Sequence, residues 1–358
     1  MTILAVCLFV VGGTLGLSFY LGLKKMLVET AQPENIIVVS KGAATEAGSK
    51  LQVETANKLV LVPGIKRTGD TPVAARELVT RVYVATGSAY EDPVSIRGFD
   101  AQSAAIHRIT VLKGTLPDPK SLDIIVGRRV AETHSNLTIG TEIHLPAGSC
   151  KITGVFAADG SPLEDEVWTP RAALELHVHT KLSSSLMLVA EDAARVPEIV
   201  DNINDSKDLN AQAASVAQFR QDSAGLGVIA RTVFMLLALL SVIATFAIAT
   251  TMNAAALARM PELAALAAIG IRRRYLARMV LVESTLLAIG GAVLGIVVCA
   301  ILRSQLGGVL ALGATPVEIV STARIVPIAI GLGAIVGIIG GFSAALLVRR
   351  LDVIRSLR

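Results

Sequence analysis

Residues 258–283 read ARMPELAALAAIGIRRRYLARMVLVE, and the rest of the chain is organised around them. They hold a short, mostly apolar helix, a glycine, a run of arginines and the start of a long hydrophobic segment. Pro261 suits the first helical position, where a missing N–H is no loss. Glu262 beside it complements the positive end of the helix dipole. Leu263, Leu266 and Ile269 recur every three residues, which predicts an apolar stripe on one side. Gly270 suits the residue after the helix, where the chain turns at positive φ. Arg272, Arg273, Arg274 and Arg278 follow, and arginines clustered beside an apolar span mark the cytoplasmic side. The stretch therefore predicts a small helix wedged between two membrane spans. By periodicity alone, a helix presented to a partner and one lying in the lipid interface fit equally well.

Composition agrees with a membrane protein. Of 358 residues, 53% are hydrophobic, and the mean hydropathy is +0.62, beyond the range of ordinary soluble domains. A bilayer core of about 30 Å needs roughly 20 apolar residues, and residues 3–23, 227–256, 276–302 and 325–348 meet that length. The net charge of +4 is small and its arginines flank the spans, so it reads as topology, not nucleic-acid binding.

The first apolar segment has no basic n-region and exceeds the usual 7–15 residues of a signal peptide, so a retained span is expected. It starts almost at Met1, so no amphipathic helix is expected ahead of it. Cys7 and Cys299 fall in spans and Cys150 in the soluble part, so no disulfide framework is expected there.

The expected order is as follows. Residues 1–24 form the first span. Residues 25–226 form a stalk and a large extracytoplasmic domain, and 227–256 the second span. The coupling loop occupies 257–275, the third span 276–302 and a short external loop 303–324. The fourth span is 325–348, and 349–358 form a basic tail. An even number of spans places both termini on one side, and the arginines of the loop and tail make that side the cytoplasm.

Within 25–226, Asn35–Ser40 (NIIVVS) is a β-branched strand. Strands are also expected at 80–85, 93–99, 124–126, 141–145, 150–156 and 185–190. Helices are expected at 127–134, from Pro170 to about 176, from an Asp192 N-cap to about 203, and at 212–225. Residues 112–116 read as a turn. Such alternation predicts a compact α/β or α+β domain between the first two spans. Gly291 and Gly295 in the third span, and Gly333, Gly337 and Gly341 in the fourth, repeat at four-residue spacing. That spacing permits close helix approach, within one subunit or between two.

Arg259-x-Pro261-Glu262-Leu263, then Ala268-Ile269-Gly270, Arg272 and a Glu early in the next span, Glu283, resemble the cytoplasmic loop of MacB/FtsX-type ABC transporter permeases (type VII, mechanotransmission class). The family often carries basic residues just before the Ala-hydrophobic-Gly, where this chain has Leu266 and Ala267. VSIRGF, LKGTLP, IIVGRRVAE, TIGTEIHL, KITGVF and Trp168-x-Pro170 follow the order of that family's periplasmic core domain, so the resemblance covers nearly the whole chain. It implies a permease subunit of the bacterial inner membrane, with Arg259, Pro261, Glu262, Leu263, Leu266, Ile269 and Gly270 coupling it to a separate ABC-type ATPase dimer. A second permease copy or paralogue is implied too, with a periplasmic adaptor or envelope protein as a further partner, and efflux or extraction of a peptide, lipoprotein or drug.

The chain contains no G-x-x-x-x-G-K-[ST], H-E-x-x-H or G-x-S-x-G. Any ATP would be bound by the partner, and neither a cofactor nor a catalytic set is expected in this chain. His177 and His179 lack the further ligands a metal site needs. Asp159, Glu164, Asp165 and Glu166 read as a solvated acidic loop, without the spacing of a calcium hand. Glu283 reads as an anchor that pairs with an arginine such as Arg278. A membrane-anchored receptor or scaffold, or a signalling protein that transports nothing, is the alternative reading. A membrane hydrolase would need a nucleophile–base set that is not visible.

Overall fold

The computed structural model describes residues 1–86, 89–134, 137–145, 148–305, 309–312, 315–318 and 322–350. The expected basic tail beyond Arg350 lies outside the described residues. Two compact units result, Met1–Leu23 with Gly227–Arg358, and Lys24–Leu226.

In chain order, the helices are α1 (Thr2–Lys24), α2 (Val53–Leu59), α3 (Ala101–Ile106), α4 (Arg128–Thr133), α5 (Arg171–Val178), α6 (Val196–Asp205), α7 (Val216–Ser223), α8 (Leu226–Ala258), α9 (Met260–Ala268), α10 (Arg273–Gln305) and α11 (Thr322–Arg349). The strands are β1 (Asn35–Ser40), β2 (Arg67–Thr68), β3 (Thr71–Pro72), β4 (Ala74–Thr86), β5 (Ala89–Phe99), β6 (Thr110–Gly114), β7 (Ile124–Gly127), β8 (Glu142–Leu145), β9 (Gly148–Ala157), β10 (Glu166–Pro170), β11 (Ser185–Val189), β12 (Ala211–Ser215), β13 (Val309–Leu312) and β14 (Thr315–Glu318).

Unit Lys24–Leu226 is a mixed α/β domain built on a ten-stranded sheet. β1 lies between β11 and β12, antiparallel to both. Alternate residues of a strand face opposite sides. Accordingly Ile36 and Val38 pack with Leu59, Ile199 and Ile203, while Ile37 and Val39 pack with Ile106 and Val216. Both faces are covered, which explains a run of apolar residues without alternation. Farther along, β10 runs parallel to β5 and carries Trp168 into a cluster with Phe99 and Phe156.

Three local expectations change. Residues 112–116 are not only a turn: β6 pairs with β9 before the chain turns at Gly114, φ +78°. The strand Glu166–Pro170 was not foreseen. The expected helix 212–225 begins as strand β12, and only Val216–Ser223 is helical. Alanine-rich sequence favours helix, but the free edge of β1 takes Ala211–Ser215 as a partner, a tertiary override of local propensity. Asn204 then covers the outer side of β12. Its Nδ2 donates to Ala213 O at 3.0 Å and its Oδ1 accepts from Ala213 N at 2.8 Å.

The other unit contains four helices long and apolar enough to cross a membrane, a requirement that lipid imposes because every backbone N–H must be satisfied inside the segment. Between α10 and α11, β13 and β14 form an antiparallel pair in the expected external loop. Small residues set the helix contacts. A Cβ on Gly291 would meet Ile3 O at 2.7 Å, and one on Gly295 would meet Val10 Cβ at 2.9 Å, so these two glycines admit α1. Gly333 and Gly337 seat against Ala292 and Ala288 of α10, and Gly341 seats against Ser284. Gly340 faces Ile248 of α8, and Gly13 faces Leu237 of α8. Ser284 Oγ also donates to Gly337 O at 3.1 Å. All five glycines singled out in the sequence thus make contacts inside one chain.

Gly291→Ala is expected to destabilise the bundle by about 1–3 kcal/mol, because the added methyl has nowhere to go. Gly290→Ala, with nothing within 4 Å, should be neutral or slightly stabilising. Thermal melting of both variants in detergent, beside the parent, reads the difference.

Candidate functional site

Helix α9 follows from its sequence. Arg259 is the N-cap, Pro261 occupies the first turn and Glu262 is the acidic residue there. The helix ends at Ile269, and Gly270 takes φ +105°. Gly270 N donates to Ala267 O at 3.1 Å and Ile271 N donates to Leu266 O at 3.2 Å. That pair of bonds is a Schellman ending, which satisfies carbonyls that would otherwise be orphaned.

The two faces of α9 differ. Leu263 and Ala264 are buried in one cluster with Ala256, Leu276 and Val280, and Met260, Leu266 and Ala267 pack against it. Pro261, Glu262, Ala265, Ala268 and Ile269 are exposed. The single stripe expected of Leu263, Leu266 and Ile269 is therefore corrected. Each three-residue step turns a helix by about 300°, so Ile269 lies about 120° around from Leu263. Two of the three leucine and isoleucine residues anchor the helix to its own unit, and Ile269 is 79% exposed on the other side.

Arg259 also tethers the helix. Its Nη1 lies 3.2 Å and 3.4 Å from the two carboxylate oxygens of Glu283. Glu283 is paired as an anchor would be, but with Arg259 and not Arg278. Arg278 and Arg274 instead approach the ring of Tyr275, with Cζ 6.0 Å and 5.0 Å from its centroid. Arg272, Arg273, Arg274 and Arg278 are all exposed.

The unit Lys24–Leu226 holds a charged cluster that sequence reading missed. Arg97 of β5 is 2% exposed. Its Nη2 donates to Glu46 Oε2 at 2.8 Å and its Nε to Glu166 Oε2 at 2.7 Å. Nη1 donates to Glu77. His107 Nε2 is 2.7 Å from the other Glu77 oxygen, and Trp168 Nε1 donates to Glu166 at 3.1 Å. Burial alone would raise the Glu77 pKa, but His107 and Arg97 overcome it and hold the carboxyl at about 2. Burial likewise opposes the charge of Arg97, and Glu166, Glu46 and Glu77 outweigh it, pushing its pKa above the ordinary arginine value. The one available signal was an arginine in the apolar run VSIRGF. Its partners lie 51, 20 and 69 positions away.

The acidic segment 159–166 is corrected as well. Glu164 is fully buried, accepts from Ala158 N and Gly160 N at 2.9 Å each, and pairs with Arg128 at 2.8 Å. Burial would raise its pKa; those backbone donors, with Arg128 and Arg129, hold it below the ordinary value. Asp165 pairs with Arg129 at 2.8 Å, and Glu166 belongs to the Arg97 cluster. These carboxylates are structural because arginines from α4 and β5 fold onto them. His177 lies near the end of α5, and His179 follows it at φ +50°. Among the described residues no group of histidine, cysteine or carboxylate side chains is arranged to hold a metal.

Residues 1–206 match the family described as MacB-like periplasmic core domain, and residues 234–353 the family described as FtsX-like permease C-terminal. No curated protein matches the chain. Among solved structures, the extracellular domain of the noncanonical ABC-type transporter YknZ from Gram-positive bacteria is similar at 15% identity and a TM-score of 0.39, covering 50% of this chain and 99% of that one. The periplasmic region of MacB from Actinobacillus actinomycetemcomitans is similar at 10% identity and a TM-score of 0.41, covering 54% and 94%.

Two outcomes are expected for the Arg97 cluster, read by fluorescence of the single tryptophan, Trp168. Arg97→Met leaves buried carboxylates uncompensated and should destabilise this unit by about 3–5 kcal/mol. Because the folded Glu77 pKa is depressed, its stabilisation is complete above pH 4.5 and is lost as the pH falls from there towards about 2. Glu77→Gln should remove that part of the acid dependence, up to about 1.4 kcal/mol per pH unit for one proton.

Proposed function

Because the chain belongs to the MacB/FtsX-type family of ABC transporter permeases, we propose that it is the membrane subunit that converts ATP hydrolysis by a separate ATPase into movement of its extracytoplasmic domain. One observation carries this reading. Helix α9 has its back face locked into the bundle, while Ile269 stands 79% exposed at the front. A large exposed apolar side chain on a helix held rigidly from behind is suited to a pocket on a partner. A load applied there passes to α8 and α10, since Leu263 and Ala264 share their core and Arg259 holds Glu283.

The docking surface is therefore Pro261, Glu262, Ala265, Ala268 and Ile269, and Leu263 and Leu266 act as its anchor. The arginines of 272–278 support a cytoplasmic position for this loop, and the reading sets the chain in a bacterial inner membrane with both termini on that side. Two copies, or a copy and a paralogue, present two such helices to an ATPase dimer. ATP is bound and hydrolysed by that partner, and this chain is not itself an enzyme. Among the described residues the buried polar side chains of the spans are few, Thr2, Thr14, Ser18 and Ser284, which favours conformational coupling over a wet pathway. Outward extraction or efflux of a peptide, lipoprotein or drug is the activity this coupling serves.

The test is co-purification of the chain with a co-expressed ABC-type ATPase. Ile269→Asp should lower retention of the ATPase by at least about tenfold, the loss expected of an interface anchor, while melting of the permease stays unchanged. Leu263→Asp should instead lower the melting temperature. Undiminished retention by a variant carrying both Ala265→Asp and Ile269→Asp would remove the docking surface.

A further inference from the structure

At the start of α10, we infer that Arg274, Tyr275 and Arg278 form a clamp for the phosphate of an anionic phospholipid headgroup. Exposure, a shared aromatic contact and position on the helix support this together. The guanidinium carbons of both arginines lie within 6.0 Å of one tyrosine ring. Arg274 Nη2 also donates to Tyr275 Oη at 3.3 Å. Among the described residues neither arginine has a carboxylate partner, and the nearby Arg259–Glu283 ion pair involves neither. Two like charges held at one ring repel each other, and a single anion bridging them relieves that repulsion. The shared ring holds the two exposed guanidinium groups near each other, and guanidinium N–H groups grip phosphate oxygens in pairs.

The direction in which the pair points decides between a lipid and a protein partner. The core-facing stripe of α10 is Leu276, Val280, Ser284 and Ala288. Arg274 and Arg278 each lie two residues from Leu276, about 160° around the helix from it. Continuing in four-residue steps, the same outward side carries Val282 and Leu286, both exposed, and Tyr275 leads on to exposed Met279. On a helix long and apolar enough to cross a membrane, an exposed apolar side meets lipid tails. A tyrosine and two arginines at the end of that side therefore stand at headgroup level, where such residues concentrate. The phosphate comes from a bilayer lipid rather than from solution because the clamp continues directly into this tail-facing surface. The inference is independent of ATPase docking, which uses α9.

Native mass spectrometry of the detergent-purified full-length chain tests it, with phosphatidylglycerol and phosphatidylcholine supplied in equal amounts. The parent should retain phosphatidylglycerol in preference. Replacing Arg274→Gln and Arg278→Gln together should reduce that preference by about fivefold per arginine, the usual weight of a cation at an anionic surface. Arg349→Gln with Arg350→Gln removes the same charge at the end of α11 and should leave the preference in place. Equal losses in the two double variants, or no loss in the first, would overturn the clamp. So would displacement of the lipid by sodium phosphate at an ionic strength where sodium chloride has no effect, since the ligand would then be a free anion.

Discussion

Leu263 and Ala264 lie in the same core as Ala256, Leu276 and Val280, and this burial makes a nine-residue helix part of a membrane bundle. A helix that short has little stability of its own, because nucleation is unfavourable and few bonds repay it. Packing against the ends of two spans, together with a Schellman ending and the Arg259–Glu283 pair, holds it in place. The exposed face inherits that rigidity.

Those helices are themselves held by shape. Lipid tails are as apolar as leucine, so association in a membrane depends on close packing and on occasional hydrogen bonds. Gly291 and Gly295 let α1 approach α10, and Gly333, Gly337 and Gly341 let α11 do so from another side. Ser284 sits at the second contact and donates to Gly337 O. Interfaces this close tend to move as blocks, because a small shift puts backbone against backbone.

The domain inserted after α1 solves a different problem. Its buried charges, Arg97 with Glu46, Glu77 and Glu166, join a short 3-10 turn and three strands that are distant in sequence. Removing such charges from water is expensive, and the net gain in stability is small even when pairing is good. Their geometry is selective, however: five guanidinium N–H groups are met by carboxylates only when all these segments are in register. Glu164 repeats the device with Arg128, Arg129 and two backbone N–H groups.

Local physics wrote much of this chain plainly enough to read. Lipid requires about 20 apolar residues with internal hydrogen bonds, so the four spans were legible by length. Pro261 and Gly270 marked the ends of α9 because each acts through its own backbone. The β-branched run Asn35–Ser40 marked β1 for the same reason. Tertiary structure decided what depends on distant partners. It turned Leu263 inward and left Ile269 outside, since both are apolar and only the neighbouring spans distinguish them. Ala211–Ser215 became a strand because β1 had a free edge to offer. Glu164, read as solvated, became buried, and Glu166 half-buried, once arginines from elsewhere folded onto them. A residue's own chemistry sets its backbone preference and its hydropathy, but the neighbours brought to it by the fold determine whether its charge or its methyl groups meet water.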